Sequence, residues 1–196
     1  RQSRYGIKVE TAHVHFDVIP AVLDPKGGHW IFDLQTGEVL HNDPAALAKF
    51  VQKHAASNPG WFDVVALCKF WAKRQPRYCC PDGNTTTLLT SLHVEVCLCH
   101  MSGPLPDRLD QAFAVALNFL QQQLMVCTVP PEWTGRNVYH YLQEDPEHQA
   151  AVETALFQAR RFAEAAVCLD HREAASSGQS ICSWADTLGP YSWDPC

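Results

Sequence analysis

The N-terminal part of the chain contains short segments in which apolar and polar residues alternate with the two-residue period of a β-strand. Two such segments cover residues 7–10 and 14–19, and a third short apolar segment covers 29–34. The loop "DPKGG" at 24–28 lacks the glycine and lysine spacing of a phosphate-binding loop and is interpreted as a turn. The pattern therefore predicts three strands joined by tight turns, with a further turn at 35–38.

After residue 41 the apolar positions recur every three or four residues, which is the period of an α-helix. The sequence "NDP" at 42–44 provides an N-cap and a proline for the first helical turn, and Pro76 ends a later helix. Asp107 is the expected cap of another helix. Strands followed by about five helices predict an α+β fold whose bulk is helical. The predicted helices cover 45–56, 61–75, 86–100, 107–126 and 146–171.

Length and charge restrict the class of protein. The chain has 196 residues, of which 46% are hydrophobic, so it can form one well-packed domain or a domain with a small annex. Its apolar runs stay below the roughly 20 residues that span a bilayer. The net charge of -6 argues against a broad contact with nucleic-acid backbone, so long duplex DNA is not an expected partner. A local basic patch is still available to a polyanion, and its members are Lys69, Lys73, Arg74 and Arg77.

The nine cysteines are not spaced like a disulfide framework, and several fall in apolar helical segments where a free thiol behaves as a small hydrophobe. No export signal is visible, so we expect a reducing, cytoplasmic environment. Neither the vicinal pair Cys79 and Cys80 nor the pair Cys97 and Cys99 has the spacing of a structural zinc site, although zinc binding stays open. A cysteine nucleophile has no supporting motif.

One carboxylate, Asp17, lies inside the apolar segment "HVHFDVIPAV". Burying an unpaired charge is costly, so this side chain should be paired, protonated or bound to a cation. Pro20 removes a backbone donor and marks a sheet edge or the end of the strand. Enzymes that transfer nucleotidyl groups hold Mg²⁺ with carboxylates in such a position, although two or three must converge. An ordinary surface aspartate is the alternative, and His13 and His15 stay open as metal ligands.

Four segments in a fixed order, "FDVIPAV", "HNDP", "ALCKFWAKRQ" and "LLTSLHVEV", extend this interpretation. Their order resembles the catalytic core of the DNA polymerase β-like nucleotidyltransferases. The closest branch is that of 2′-5′-oligoadenylate synthase, cyclic GMP-AMP synthase and the bacterial cGAS/DncV-like enzymes. The C-terminal "SWADTLGPY" is similar to a terminal motif of the same family. The resemblance covers nearly the whole chain.

The resemblance implies roles for individual residues. Asp17 matches the third metal-binding carboxylate of the family and would act in catalysis with Mg²⁺ or Mn²⁺. Lys69 would bind the triphosphate of an NTP, Lys73 shares its helix face, and Ser91 would bond a phosphate oxygen or cap its own helix. Glu95 is expected to be structural and to pair with a basic residue between helices.

The chain also departs from the family pattern. Leu92 stands where relatives often have an aromatic residue that stacks on the base. The first two carboxylates of the family lie in an acidic pair after a Gly-Ser motif, and no such pair precedes Asp17 in this chain. We therefore expect this chain alone to be inactive, because one carboxylate cannot complete a two-metal site.

These observations together predict two parts. Residues 1–41 would be the remaining part of a nucleotidyltransferase sheet of short antiparallel strands, and residues 42–196 a C-terminal helical lobe. The whole protein would make cyclic or short linear oligonucleotide messengers from NTPs in antiviral or antiphage signalling, with a protein regulator as a further partner. The alternative is a catalytically inactive module that binds nucleotide, RNA or a protein.

Overall fold

The computed structural model describes residues 6–12, 14–34, 36–81, 83–126, 138–170 and 187. Short antiparallel strands come first and helices dominate the rest, so the predicted α+β class is confirmed. The strands are β1 (Ile7–Glu10), β2 (His15–Val18), β3 (Ala21–Leu23), β4 (His29–Phe32), β5 (Val39–Asn42), β6 (Tyr78–Cys79) and β7 (Thr85–Thr86). The helices are α1 (Pro44–Ser57), α2 (Trp61–Arg74), α3 (Ser91–Leu98), α4 (Leu109–Gln123), α5 (His140–Gln143) and α6 (Pro146–Asp170).

The chain divides into two compact units, and a boundary falls between Phe50 and Val51, inside α1. The described part of the first unit comprises residues 6–12, 14–34 and 36–50. That of the second comprises residues 51–81, 83–126, 138–170 and 187. The domain boundary expected at residues 41 and 42 stays a prediction.

The first unit contains two separate small sheets. β1 and β2 form a two-stranded hairpin in which Ile7 pairs with Val18 and Lys8 with Asp17. The amide of Thr11 donates to the carbonyl of Val14 over 2.9 Å and closes the connection between these strands. Strands β3, β4 and β5 form the second sheet in that order.

The predicted turn at 24–28 is confirmed. The side chain of Asp24 accepts a hydrogen bond from the amide of Lys26 over 2.9 Å, and its carbonyl accepts one from Gly27 over 2.9 Å. Gly28 has a φ of 78°, and an added Cβ would lie 2.8 Å from Nε2 of His41. Glycine is therefore required here by both the backbone and the space around it.

The helix α1 begins as the sequence predicts. The side chain of Asp43 accepts a hydrogen bond from the amide of Ala46 over 2.9 Å, so Asp43 satisfies a free amide of the first turn. Pro44 follows at the first helical position, where the missing N–H costs nothing.

The second unit has a helical core. α6 packs mainly on α4, while α2 packs on both α3 and α4. The apolar residues of α2 recur at helical spacing and form one buried stripe. Packing of this stripe on the neighbouring helices stabilises the helical conformation of the segment. Burial of each large side chain contributes about 1.5–3 kcal/mol. Fully buried members of the core include Trp61, Trp71, Phe113, Leu117, Leu120 and Leu156.

Two helix boundaries differ from the prediction. The helix expected at 86–100 begins only at Ser91, because Thr85–Thr86 pairs with β6 as a strand. The helix expected at 107–126 is α4, whose first residue is Leu109. Arg108 holds the N-cap position without a side-chain cap, so the predicted capping by Asp107 is wrong.

Several short elements escaped prediction, namely β3, β5, β6, β7 and α5. Their length explains this, since two to four residues carry too little periodicity to identify a strand or a helix. Of the helices that the structure describes, none combines the length and the apolar character needed to cross a membrane.

Candidate functional site

An ion pair between α2 and α3 contains one of the predicted site residues. Nζ of Lys69 on α2 donates a hydrogen bond to Oε2 of Glu95 on α3 over 2.6 Å. The two side chains are 28% and 23% exposed, so the pair lies at the edge of the core rather than in bulk solvent. The predicted pairing of Glu95 with a basic residue of another helix is confirmed.

Helical periodicity explains which residues share this edge. Residues four apart on a helix lie on the same face, so Lys73 is one turn beyond Lys69, and Ser91 is one turn before Glu95. Cys68 and Ala72 belong to the buried stripe of α2, and Lys69 lies beside this stripe. Lys69 is therefore half-buried at the border of the core, whereas Lys73 is exposed.

The neighbouring segments show which ends of α2 and α3 lie together. Residues 75–79, which follow α2, and Leu88, which precedes α3, line one cleft of about 640 Å³. Residues of α6 between Ala150 and Gln158 line the same cleft. Lys73 and Ser91 each lie one turn from the ion pair toward this shared end. Helical spacing therefore puts Lys73 and Ser91 near the Lys69–Glu95 pair, and the grouping of all three residues in one site stays a prediction.

The structure excludes one of the two roles that the sequence left open for Ser91. Thr90 is the N-cap of α3, and its hydroxyl accepts a hydrogen bond from the amide of His93 over 3.2 Å. Ser91 is the first residue inside the helix, so the interpretation of Ser91 as the cap is wrong. Within the described residues, the Ser91 hydroxyl has no hydrogen-bond partner, and this half-buried group is available to a ligand.

Lys73 forms no ion pair with a described carboxylate. It is exposed on α2, and no ion pair joins it to any side chain in the described ranges. The edge therefore presents one paired ammonium, one unpaired ammonium and one hydroxyl.

A buried thiol lies behind the ion pair. Burial raises the pKa of Cys99 to about 12, with the charge of Glu95 adding to the rise and that of Lys69 opposing it. Burial also raises the pKa of Cys68 far above its usual range. Both thiols stay protonated at neutral pH, and a protonated buried thiol is a poor nucleophile.

A buried hydrogen-bond network fixes the start of α3. Nδ1 of His93 lies 3.1 Å from the hydroxyl of Tyr141, and its Nε2 lies 2.9 Å from the carbonyl oxygen of Leu124. The same hydroxyl accepts a hydrogen bond from the amide of Thr90 over 3.3 Å. Because a carbonyl only accepts, Nε2 carries the proton of His93 and Nδ1 accepts from Tyr141. Sequence reasoning missed this network, whose signal was a histidine at an apolar position of α3.

The environment of His93 keeps its ring neutral. Burial lowers the pKa of His93 from 6.5 to about 4, although the hydrogen bond to the carbonyl of Leu124 acts in the opposite direction. Burial likewise raises the pKa of the Tyr141 hydroxyl to about 12, so it remains a donor. This network anchors the helix that carries Ser91 and Glu95.

The remaining predicted residues lie in other parts of the chain. Asp17 belongs to β2 of the first unit, where its backbone pairs with Lys8, and its side chain lies outside the described part. His15 pairs with Glu10 in the same hairpin, and His13 lies outside the described residues. The motif at 183–191 also lies outside them, except for the buried Thr187. The catalytic and metal-binding roles of Asp17 stay predictions.

The described side chains offer no ready-made metal centre. No group of three or more histidines, cysteines, aspartates or glutamates within these residues converges on a point that could hold an ion. Cys79 is exposed and Cys80 is half-buried, whereas Cys97 and Cys99 are buried. The side chain of Asp17 lies outside the described part, so its partners in a metal site stay a prediction.

Comparison with known proteins adds no relative. No protein-family model matches this chain, and no match was found among curated proteins.

Proposed function

We propose that this chain forms the C-terminal part of a Mg²⁺-dependent nucleotidyltransferase of the cGAS/DncV-like type, acting in the cytoplasm. Such an enzyme transfers a nucleotidyl group from an NTP to a ribose hydroxyl of a second nucleotide, with pyrophosphate as the leaving group. Its product would be a cyclic or short linear oligonucleotide that signals infection. The order of the four sequence motifs supports this proposal, since that order resembles the pattern of the family and extends over both units.

The observation on which the proposal depends is the shared edge of α2 and α3. Helical spacing puts the ammonium groups of Lys69 and Lys73 and the hydroxyl of Ser91 on the side of the helix pair that carries the Lys69–Glu95 ion pair. A triphosphate tail offers several anionic oxygens, and ammonium groups on flexible stems bind a mobile polyphosphate well. The chemistry of this edge therefore fits the triphosphate of an NTP.

Asp17 would supply one carboxylate for Mg²⁺ or Mn²⁺. When bound, these ions neutralise phosphate charge and activate the attacking hydroxyl. Since Asp17 is the one matched member of a set of three, we expect this chain alone to bind nucleotide without turnover.

Nucleotide binding by this chain tests the proposal. Titration with ATP in a calorimeter should show binding that weakens about tenfold or more in Lys69→Met, because hydrogen bonds to charged groups contribute roughly 1.5–3 kcal/mol. Lys53→Met is the matched control, since Lys53 is an exposed lysine of α1. Equal affinities of wild type and Lys69→Met would overturn the proposed site.

Catalysis requires a separate test. The protein that contains this chain, incubated with NTPs and Mg²⁺ or Mn²⁺, should yield oligonucleotides that chromatography resolves. Asp17→Asn should abolish the product while the circular dichroism spectrum stays unchanged. Nucleotide binding without product under every metal condition would instead favour the alternative, an inactive nucleotidyltransferase-like module. That alternative has one observation in its favour, the single matched carboxylate.

A further inference from the structure

We propose that Glu95 is a positioning residue that fixes the ammonium group of Lys69 for a triphosphate; this inference rests on the proposed function. Sequence reasoning assigned Glu95 a structural role only. The 2.6 Å contact and its surroundings indicate a role in ligand binding through Lys69.

The contact leaves Lys69 able to bind a ligand. A lysine ammonium has three N–H donors, and Glu95 accepts one of them. The Lys69 side chain is 28% exposed, so the other two donors can reach an incoming phosphate. Lysine loses considerable rotamer freedom when it is immobilised, and a side chain that is already held loses less on binding.

Glu95 is itself held firmly. The hydroxyl of Thr90 caps α3, and His93 is bonded to both Tyr141 and Leu124 within the buried network. An exposed ion pair between flexible side chains would have little positional value. This pair differs because α3 is anchored on its buried side and because neither partner is fully solvated.

Glu95 has two opposing effects on a bound polyphosphate. Its position orders Lys69 and so favours binding, whereas its negative charge repels the phosphates and disfavours binding. Glu95→Gln keeps an acceptor of the same length and removes the charge, while Glu95→Ala removes both. Comparing these two neutral variants therefore isolates the positioning effect.

The experiment measures the affinity of the chain for inorganic tripolyphosphate by calorimetry at physiological salt. We expect Glu95→Ala to bind about 3- to 10-fold more weakly than Glu95→Gln, the range that corresponds to ordering one long side chain. In a Lys69→Met background the same two variants should bind equally, because the group that Glu95 positions is gone. Glu153 accepts a hydrogen bond from Gln149 on the exposed face of α6, so the variants Glu153→Ala and Glu153→Gln serve as controls and should not differ.

A second comparison keeps the charge constant. Glu95→Asp retains the carboxylate but shortens the side chain by one methylene, so it should bind tripolyphosphate several-fold more weakly than wild type. This variant also protects the test against poor folding of Glu95→Ala, and thermal unfolding of every variant verifies the folded state.

The outcomes separate the two proposals. If Lys69→Met binds tripolyphosphate as wild type does, the proposed function fails and the role of Glu95 fails with it. A second outcome is that Lys69→Met weakens binding while the affinities of the Glu95 variants depend only on their charge. Glu95→Ala and Glu95→Gln would then bind equally, and Glu95→Asp would bind as wild type does. This result would overturn only the positioning role. A loss of thermal stability in Glu95→Ala without an effect on affinity would likewise overturn the positioning role alone.

Discussion

The stability of this protein should depend on pH through His93. The ring is buried and neutral, with both nitrogens hydrogen-bonded, and burial lowers its pKa from 6.5 to about 4. Between these two values the unfolded chain binds a proton at this residue and the folded chain does not. Lowering the pH through this window therefore favours unfolding, and the stabilisation is fully present only above about pH 6.5.

The size of the effect follows from the two pKa values. Each unit of pKa difference corresponds to about 1.4 kcal/mol, so His93 should account for a loss of roughly 3 kcal/mol between pH 7 and pH 4. This is a large part of the 5–15 kcal/mol that stabilises an ordinary domain. Below about pH 4 this residue should cause no further loss.

Urea unfolding followed by circular dichroism at a series of pH values tests this prediction. His93→Gln removes the titrating group, so its difference in unfolding free energy from wild type should shrink as the pH falls from 7 toward 4. Leu92→Ala is the control, because Leu92 is exposed on α3 and neither leucine nor alanine titrates, so its difference from wild type should stay constant. A difference between wild type and His93→Gln that does not change over this range would refute the reasoning, since the buried ring would not be the group that titrates.

Two further predictions concern the start of α3 and the thiols. Thr90→Ala should lower the free energy of unfolding by about 1 kcal/mol, because the N-cap of α3 is lost. Ser91→Ala should leave the free energy of unfolding nearly unchanged. Urea unfolding measures both values, and equal losses in the two variants would contradict the assignment of Thr90 as the cap. Iodoacetamide should modify the exposed thiols of the native protein before it modifies the buried ones, as mass spectrometry of peptides will show. Early modification of a buried thiol would contradict the packing. The exposed thiols are Cys79 and Cys168, and the buried ones are Cys68, Cys97 and Cys99.

Helices with strong boundary residues could be predicted closely from the sequence. α2 lies between Gly60 and Pro76, and α6 begins at Pro146, as the sequence indicates. Proline lacks an amide hydrogen and fixes its own φ, so its effect on a helix end depends little on the rest of the fold. For that reason local residues were sufficient at these boundaries.

The segment before α3 shows where such reasoning fails. Leu88 and Leu89 are apolar and buried, so they extended the predicted helix toward the N-terminus. They lie outside the helix, which begins after Thr90. An apolar pattern reports burial and not backbone conformation, and burial of Leu88 and Leu89 is achieved here without helical structure.

The site was predictable only in part. The type of partner for Glu95 followed from its charge, but the choice of Lys69 depends on how far α2 is shifted along α3. That shift is set by the packing of the buried side chains of both helices, which include Trp71 and Leu98, and this packing is not encoded in either helix alone. The relation of Asp17 to this edge depends on still more distant parts of the chain and stays a prediction.

The hairpin that contains Asp17 has a consequence for metal affinity. Within the described residues β1 and β2 pair only with each other, and Ile7, Phe16 and Val18 are about half exposed. A two-stranded hairpin of this kind is only marginally stable and opens locally more easily than packed helices do. If Asp17 binds an ion as proposed, the bound state would favour the closed hairpin. The apparent metal affinity would therefore depend on the stability of the hairpin as well as on the carboxylate ligands. Amide hydrogen exchange in β2 should then become slower when Mg²⁺ is added.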